Sequence, residues 1–223
     1  MRVYAAMTKA VDRGVGQVLD KLEAEGLSDN TIVIFTSDNG GSQNVSLPDL
    51  NAPLRGYKGS FFEGGVRVPF FMKWPQEIPA GTTDIRPVAQ MDLFPTLANV
   101  TGFDLPENIQ LDGRDLLDDS TPRDELFWRN GDFRTYRKGD WKLHWMGQTD
   151  KVWLFNLATD PFERANIAHT HPEKLRTMMA ALRVLDEEQV DPLWPRRIEI
   201  PLSLDHGKEH KLLEQDEYIY FSN

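Results

Sequence analysis

Tyr4, Met7, Val11, Val15, Val18 and Leu22 recur at three- and four-residue steps. That spacing predicts an amphipathic helix ending near Gly26, with its apolar stripe packed on a sheet. Gly14 and Gly16 fall inside the pattern, and each costs about 1 kcal/mol relative to alanine, so close packing against another element is the expected compensation. After a Ser-Asp-Asn turn, residues 31–35 (Thr-Ile-Val-Ile-Phe) are β-branched and aromatic and read as a buried parallel strand. Residues 68–73 give a second apolar strand, closed off by Trp74 and Pro75. Asp92 stands where it can cap a short helix with Pro95 in its first turn and Gly102 at its end.

The texture changes after Gly113. Residues 125–128, 133–138, 141–146 and 152–157 are short aromatic-rich runs separated by Asn130-Gly131, Gly139-Asp140 and Gly147-Gln148. They predict an antiparallel meander of about four strands. A helix follows over 172–189, with Leu175, Met178, Leu182 and Leu185 as its buried stripe. Residues 191–223 carry prolines and charges with weak periodicity and read as a tail that wraps over the surface. The expected organisation is a partial α/β region over 1–115, a small α+β subdomain over 123–190 and this tail.

Composition narrows the function classes. The chain has 223 residues, 40% of them hydrophobic, with mean hydropathy −0.48, the profile of a soluble globular protein of one or two domains. Its longest apolar runs, 32–35 and 68–72, fall far short of the roughly 20 residues that a bilayer span requires. Met1 opens an amphipathic pattern rather than a signal peptide. With no cysteine, a disulfide framework and a thiolate metal site are both excluded. The net charge of −10 argues against gripping nucleic acid or an anionic membrane, so an anionic substrate needs a local positive pocket. Arg55, Lys58 and Arg67 offer one.

The candidate chemistry follows the first strand. Asp38 and Asn39 sit next to each other before Gly40 and Gly41, and both side chains present hard oxygens that suit a cation such as calcium. The glycines are expected to let the backbone bend through positive φ so that both side chains reach one point. Lys58 lies between Gly56 and Gly59, where a fixed ammonium could stabilise charge developing on a leaving or transferring oxygen. By spacing alone, a plain turn and a solvated lysine remain open readings.

Thr36-Ser-Asp-Asn-Gly40, Leu54-Arg-Gly-Tyr-Lys58 and Glu63-Gly-Gly-Val-Arg-Val-Pro69 resemble three successive C-terminal motifs of the formylglycine-dependent sulfatases, in the alkaline phosphatase superfamily. Asp92-Leu-Phe-Pro-Thr-Leu97 and Leu154-Phe-Asn-Leu-Ala-Thr-Asp-Pro161 resemble that family's following helix and C-terminal strand and turn. The resemblance implies the C-terminal part of a doubly wound α/β sulfatase sheet plus a small α+β subdomain. It implies calcium ligands at Asp38 and Asn39, a sulfate-contacting Lys58, an aryl or carbohydrate sulfate ester as substrate, and a periplasmic or secreted location. The Cys/Ser-x-Pro-Ser/Thr-Arg motif that is oxidised to formylglycine is absent, so the nucleophile is expected in an N-terminal part and the chain is expected to be inactive alone. His144, His169, His171, His206 and His210 match no ligand motif of the family.

Asn39 separates this reading from the two-zinc phosphohydrolases of the superfamily, which place a histidine there because imidazole suits zinc. Two alternatives stand beside it: a non-catalytic binding or assembly module derived from a sulfatase, and a phosphate or phosphonate ester hydrolase. The first region holds too few strands to cover a doubly wound sheet, so an N-terminal partner chain or self-association is expected to cover its apolar surface, while 123–190 is expected to fold by itself.

Overall fold

The computed structural model describes residues 2–222 except 46, 48, 106, 107, 119, 121, 122 and 195–197. Strict alternation along the aromatic-rich segments produces its largest sheet. β3 (Glu125–Asn130), β4 (Phe133–Lys138), β5 (Trp141–Met146) and β6 (Lys151–Asn156) form an antiparallel meander in sequence order. Because successive side chains point to opposite faces, Tyr136, Leu143 and Leu154 fall on one side, where Met178 and Leu182 of α4 (Pro172–Glu187) cover them. Phe133, Met146, Trp153 and Phe155 fall on the other. The expected strands, helix and helix stripe are all present.

What covers that second face was not anticipated. Phe62, just ahead of α2 (Glu63–Val66), arrives from the first region, and Leu204 and Ile219 arrive from the last. Residues expected to form a surface tail instead make a hairpin of β7 (Glu199–Ser203) and β8 (Tyr218–Ser222). Leu204 is 1% exposed and Ile219 is 0% exposed, so the end of the chain supplies core rather than wrapping. The 123–190 sheet therefore relies on residues outside it to bury one face.

The first region departs further from expectation. β1 (Val33–Thr36) pairs with β2 (Phe70–Lys73) antiparallel, as a two-stranded sheet, and neither strand is buried. Phe35 and Phe71 are exposed and meet each other at 6.2 Å. The expected buried parallel strand is thus a half-exposed antiparallel one. α1 (Arg2–Ala24) forms as its periodicity demands but buries no residue and does not pack on a sheet. Gly14 and Gly16 face open space, so the expected packing compensation is absent. Hydrophobic periodicity identifies which face of an element is apolar, and it carries no information about what covers that face.

α3 (Leu93–Thr101) ends where expected, with Gly102 in the left-handed conformation at φ 66°. Its predicted cap behaves differently. Asp92 has helical backbone, and its buried carboxylate accepts from the Ala89 amide at 2.7 Å and the Arg114 amide at 2.9 Å, and pairs with Arg123. It therefore ties distant segments together instead of capping its own helix. No described helix is long and apolar enough to cross a membrane.

Candidate functional site

Three sequence motifs meet through glycine backbone. The Gly40 amide donates to the Gly65 carbonyl at 2.9 Å, the Gly64 amide to the Arg55 carbonyl at 2.6 Å, and the Lys58 amide to the Gly41 carbonyl at 3.0 Å. Asn51 fastens the same junction: its Oδ1 accepts from the Gly41 amide, and its Nδ2 donates to the Gly41 and Gly56 carbonyls. There is no room for side chains here. A Cβ on Gly40 would lie 1.7 Å from the Gly64 oxygen, and one on Gly65 would lie 2.1 Å from the Ser60 oxygen. Gly40 and Gly41 are not among the positive-φ residues, so the expectation that they serve the bend through backbone freedom is wrong; they serve close approach. Left-handed geometry appears instead at Gly56 and Gly59, with φ of 88° and 96°, where it turns the loop carrying Tyr57 and Lys58.

The predicted ligands lie on this junction. The Ser37 hydroxyl donates to the Asn39 carbonyl, Gln90 Nε2 donates to the Ser37 carbonyl, and Asn39 Nδ2 donates to the Gly40 carbonyl at 2.9 Å. Asn39 Oδ1 is thereby left as the open end of its amide. Asp38 is exposed, and among the described residues its carboxylate has no hydrogen-bond or ion-pair partner. Lys58 is also exposed, with its backbone fixed and its ammonium unpaired among the described residues.

The expected basic cluster resolves into three different situations. Arg55 is buried and clamped by Asp205, at 2.8 and 2.5 Å, and by Glu217 at 2.6 Å. It is structural rather than available to a substrate. Burial acts to lower the Arg55 pKa, but its two carboxylate partners outweigh that and raise it. Arg67 reaches back towards Glu63 at 3.7 Å. Of the three, Lys58 is the cation without a carboxylate beside it.

Beneath the junction lies a buried polar network that the sequence reading missed. Lys142 Nζ sits 2.7 Å from Glu63 Oε1 and 3.1 Å from Glu163 Oε1. His144 Nε2 lies 2.8 Å from Glu163 Oε1, and its Nδ1 lies 2.7 Å from the Thr135 hydroxyl. Phe62 stacks on the His144 ring at 4.1 Å. Burial lowers the His144 pKa, which favours a neutral ring donating from Nε2 to Glu163 and accepting from Thr135 at Nδ1. For Glu163, burial pushes the carboxyl up, but Lys142, His144 and the Glu63 amide overcome it and hold the pKa at about 2. The signal was present in β5, where Lys142 and His144 share the inward face with Met146. A lysine and a histidine on the buried side of an alternating strand call for buried polar partners.

These elements define a scaffold that presents one open carboxylate, one open amide oxygen and one open ammonium from interlocked loops. The sulfatase family model matches residues 1–103, and the model for the C-terminal part of N-sulphoglucosamine sulphohydrolase matches residues 57–189. The chain belongs to the sulfatase family. It is 35% identical to a sulfatase of Formosa agariphila across 81% of this chain and 38% of that protein. It is 31% identical to the N-acetylgalactosamine-6-O-sulfatase of Bacteroides thetaiotaomicron across 77% of this chain and 39% of that one. The crystal structure of Ps i-CgsB in complex with k-i-k-neocarrahexaose superposes with a TM-score of 0.74 at 31% identity, covering 86% of this chain and 44% of that chain. The chain spans less than half the length of each of these relatives.

Proposed function

We propose that this chain supplies the calcium loop and the sulfate-binding lysine of a sulfuric ester hydrolase whose nucleophile lies on another segment. The observation that carries this reading is the glycine junction, which holds the backbones of Asp38, Asn39 and Lys58 together while leaving their polar ends open. Asp38 and Asn39 Oδ1 are hard oxygens and fit calcium, which takes about six to eight of them. Two side chains make a partial set, so further carboxylates must come from elsewhere. Calcium, when bound, would neutralise charge on the sulfuryl oxygens. Lys58 would add a preorganised positive charge towards a sulfuryl or leaving oxygen. Lacking the Cys/Ser-x-Pro-Ser/Thr-Arg motif, the chain has no residue that could become formylglycine and would be inactive alone.

A sulfated carbohydrate is the proposed substrate class. Support comes from the relative whose name specifies an N-acetylgalactosamine 6-O-sulfate and from the similar structure holding an oligosaccharide. The apolar stripe of α1, with Val3 75%, Met7 64%, Val11 56% and Val18 58% exposed, supports an N-terminal segment docking over it. Such a stripe is a contact surface rather than a solvent face.

The test is hydrolysis of 4-nitrophenyl sulfate and 4-nitrophenyl phosphate, by the chain alone and by the chain coexpressed with a sulfatase N-terminal segment carrying the nucleophile motif. The chain alone should match a control protein, and the complemented assembly should turn over the sulfate in preference to the phosphate. Turnover by the chain alone, phosphate preference, or no turnover after complementation would each count against the proposal.

A further inference from the structure

We propose that His206, His210 and Asp216 form a zinc site on the connection between β7 and β8, separate from the Asp38–Asn39 loop. The three side chains each offer one ligand atom, all within 4.8 Å of one another. His210 Nε2 lies 2.8 Å from Asp216 Oδ2, and His206 Nε2 lies 3.8 Å from Asp216 Oδ1. The two separations run to different oxygens of the Asp216 carboxylate, and each lies within about 0.5 Å of the roughly 3.3 Å between ligand atoms on a tetrahedral ion with bonds of about 2.0–2.1 Å. Two imidazole nitrogens and one carboxylate oxygen are a donor set suited to zinc, with a fourth position left for water. Calcium would want oxygens throughout.

Each ligand residue is held by its backbone. The His206 amide donates to the Ser203 hydroxyl at 3.0 Å, the His210 amide to the Gly207 carbonyl at 3.0 Å, and the Asp216 amide to the Leu213 carbonyl at 3.1 Å. The Leu213 amide returns a bond to Asp216 Oδ2 at 2.8 Å. The Asp216 side chain is only 9% exposed, whereas those of His206 and His210 are 46% and 33% exposed. The site is thus anchored on its inner side and open to solvent on its outer side, which gives an ion an entry path.

Its position gives it a consequence. Asp205 and Glu217, the chain neighbours of His206 and Asp216, are the two carboxylates that clamp Arg55. Arg55 opens the loop that carries Lys58, and a Cβ on Gly59 of that loop would touch Leu202 and Phe221 of the hairpin at 3.0 and 3.1 Å. An ion bridging His206, His210 and Asp216 would close the hairpin connection and hold the Arg55 clamp against the Lys58 loop.

The experiment is calorimetric titration of zinc chloride into the chelator-treated chain, with cobalt substitution as a spectroscopic readout. One zinc per chain is expected, and cobalt should show the intense visible bands of a tetrahedral site. His206→Ala and His210→Ala should each weaken zinc binding by at least about 100-fold, as direct ligands should cost no less than the supporting groups around them. His169→Ala, an exposed histidine elsewhere, should leave it unchanged. Amide exchange over 204–217 should slow on zinc addition in the parent chain and not in the His206→Ala, His210→Ala double variant. No saturable binding, binding that survives the double variant, or the weak absorption of octahedral cobalt would overturn the proposal.

Discussion

Glu163→Gln removes one negative charge from the centre of the buried network and should destabilise the fold by about 3 kcal/mol at neutral pH. The magnitude follows from the titration of this carboxyl. Its pKa falls from an ordinary 4.5 to about 2, because Lys142, His144 and the Glu63 amide outweigh the burial that would raise it. That fall, at 1.36 kcal/mol for each tenfold change in proton affinity, corresponds to about 3 kcal/mol of stability. A folded-state pKa below the unfolded one means that this stability is fully present above pH 4.5 and is lost as pH falls towards 2. At pH 3 less than half of it should remain, so the gap between parent and variant should shrink by more than half between pH 7 and pH 3. Urea unfolding at both pH values, followed by tryptophan fluorescence with the fully buried Trp153 as reporter, measures both gaps. A gap under 1 kcal/mol at pH 7, or one of the same size at both pH values, would refute the reasoning.

Other consequences are equally direct. Gly40→Ala puts a Cβ 1.7 Å from the Gly64 oxygen, against two backbones that cannot rotate away, and should cost about 3 kcal/mol or more in urea unfolding. Leu182→Ala empties a fully buried position between α4 and the sheet and should cost about 2–5 kcal/mol by the same assay. Calcium should bind the chain alone weakly or not at all, because Asp38 and Asn39, as the proposed ligands, would supply only two of about six to eight oxygens; calorimetry showing tight binding that disappears in Asp38→Ala would contradict this.

The parts of the fold that were legible in the sequence are those written in local pattern. β3 to β6 follow from two-residue alternation punctuated by turn residues, and α4 from its Leu175, Met178, Leu182 and Leu185 stripe. The β7–β8 hairpin was hidden because β7 begins with exposed residues and its partner lies beyond a long charged connection. The Lys142–Glu63 pair spans 79 residues, so β5 announces a buried cation without naming the carboxylate that meets it. At the candidate site, Asp38, Asn39 and Lys58 were legible as motif residues. Sequence marks Gly40 and Gly64 as lacking a Cβ, but only the fold reveals the carbonyl oxygens that occupy the vacated space. The same limit explains α1 and β1, where an apolar face was read correctly and its covering was supplied by assumption.

The most direct test of the assigned roles is the catalytic constant of Lys58→Ala in an assembly that contains this chain and the nucleophile segment, with 4-nitrophenyl sulfate as substrate. Lys58 is exposed and unpaired among the described residues, so its loss should leave urea stability within about 0.5 kcal/mol of the parent. If its ammonium meets the sulfuryl group in the transition state, kcat should fall by about 100- to 1000-fold, the loss expected for one preorganised stabilising donor. An unchanged kcat would return Lys58 to the solvent-facing surface and remove it from the site.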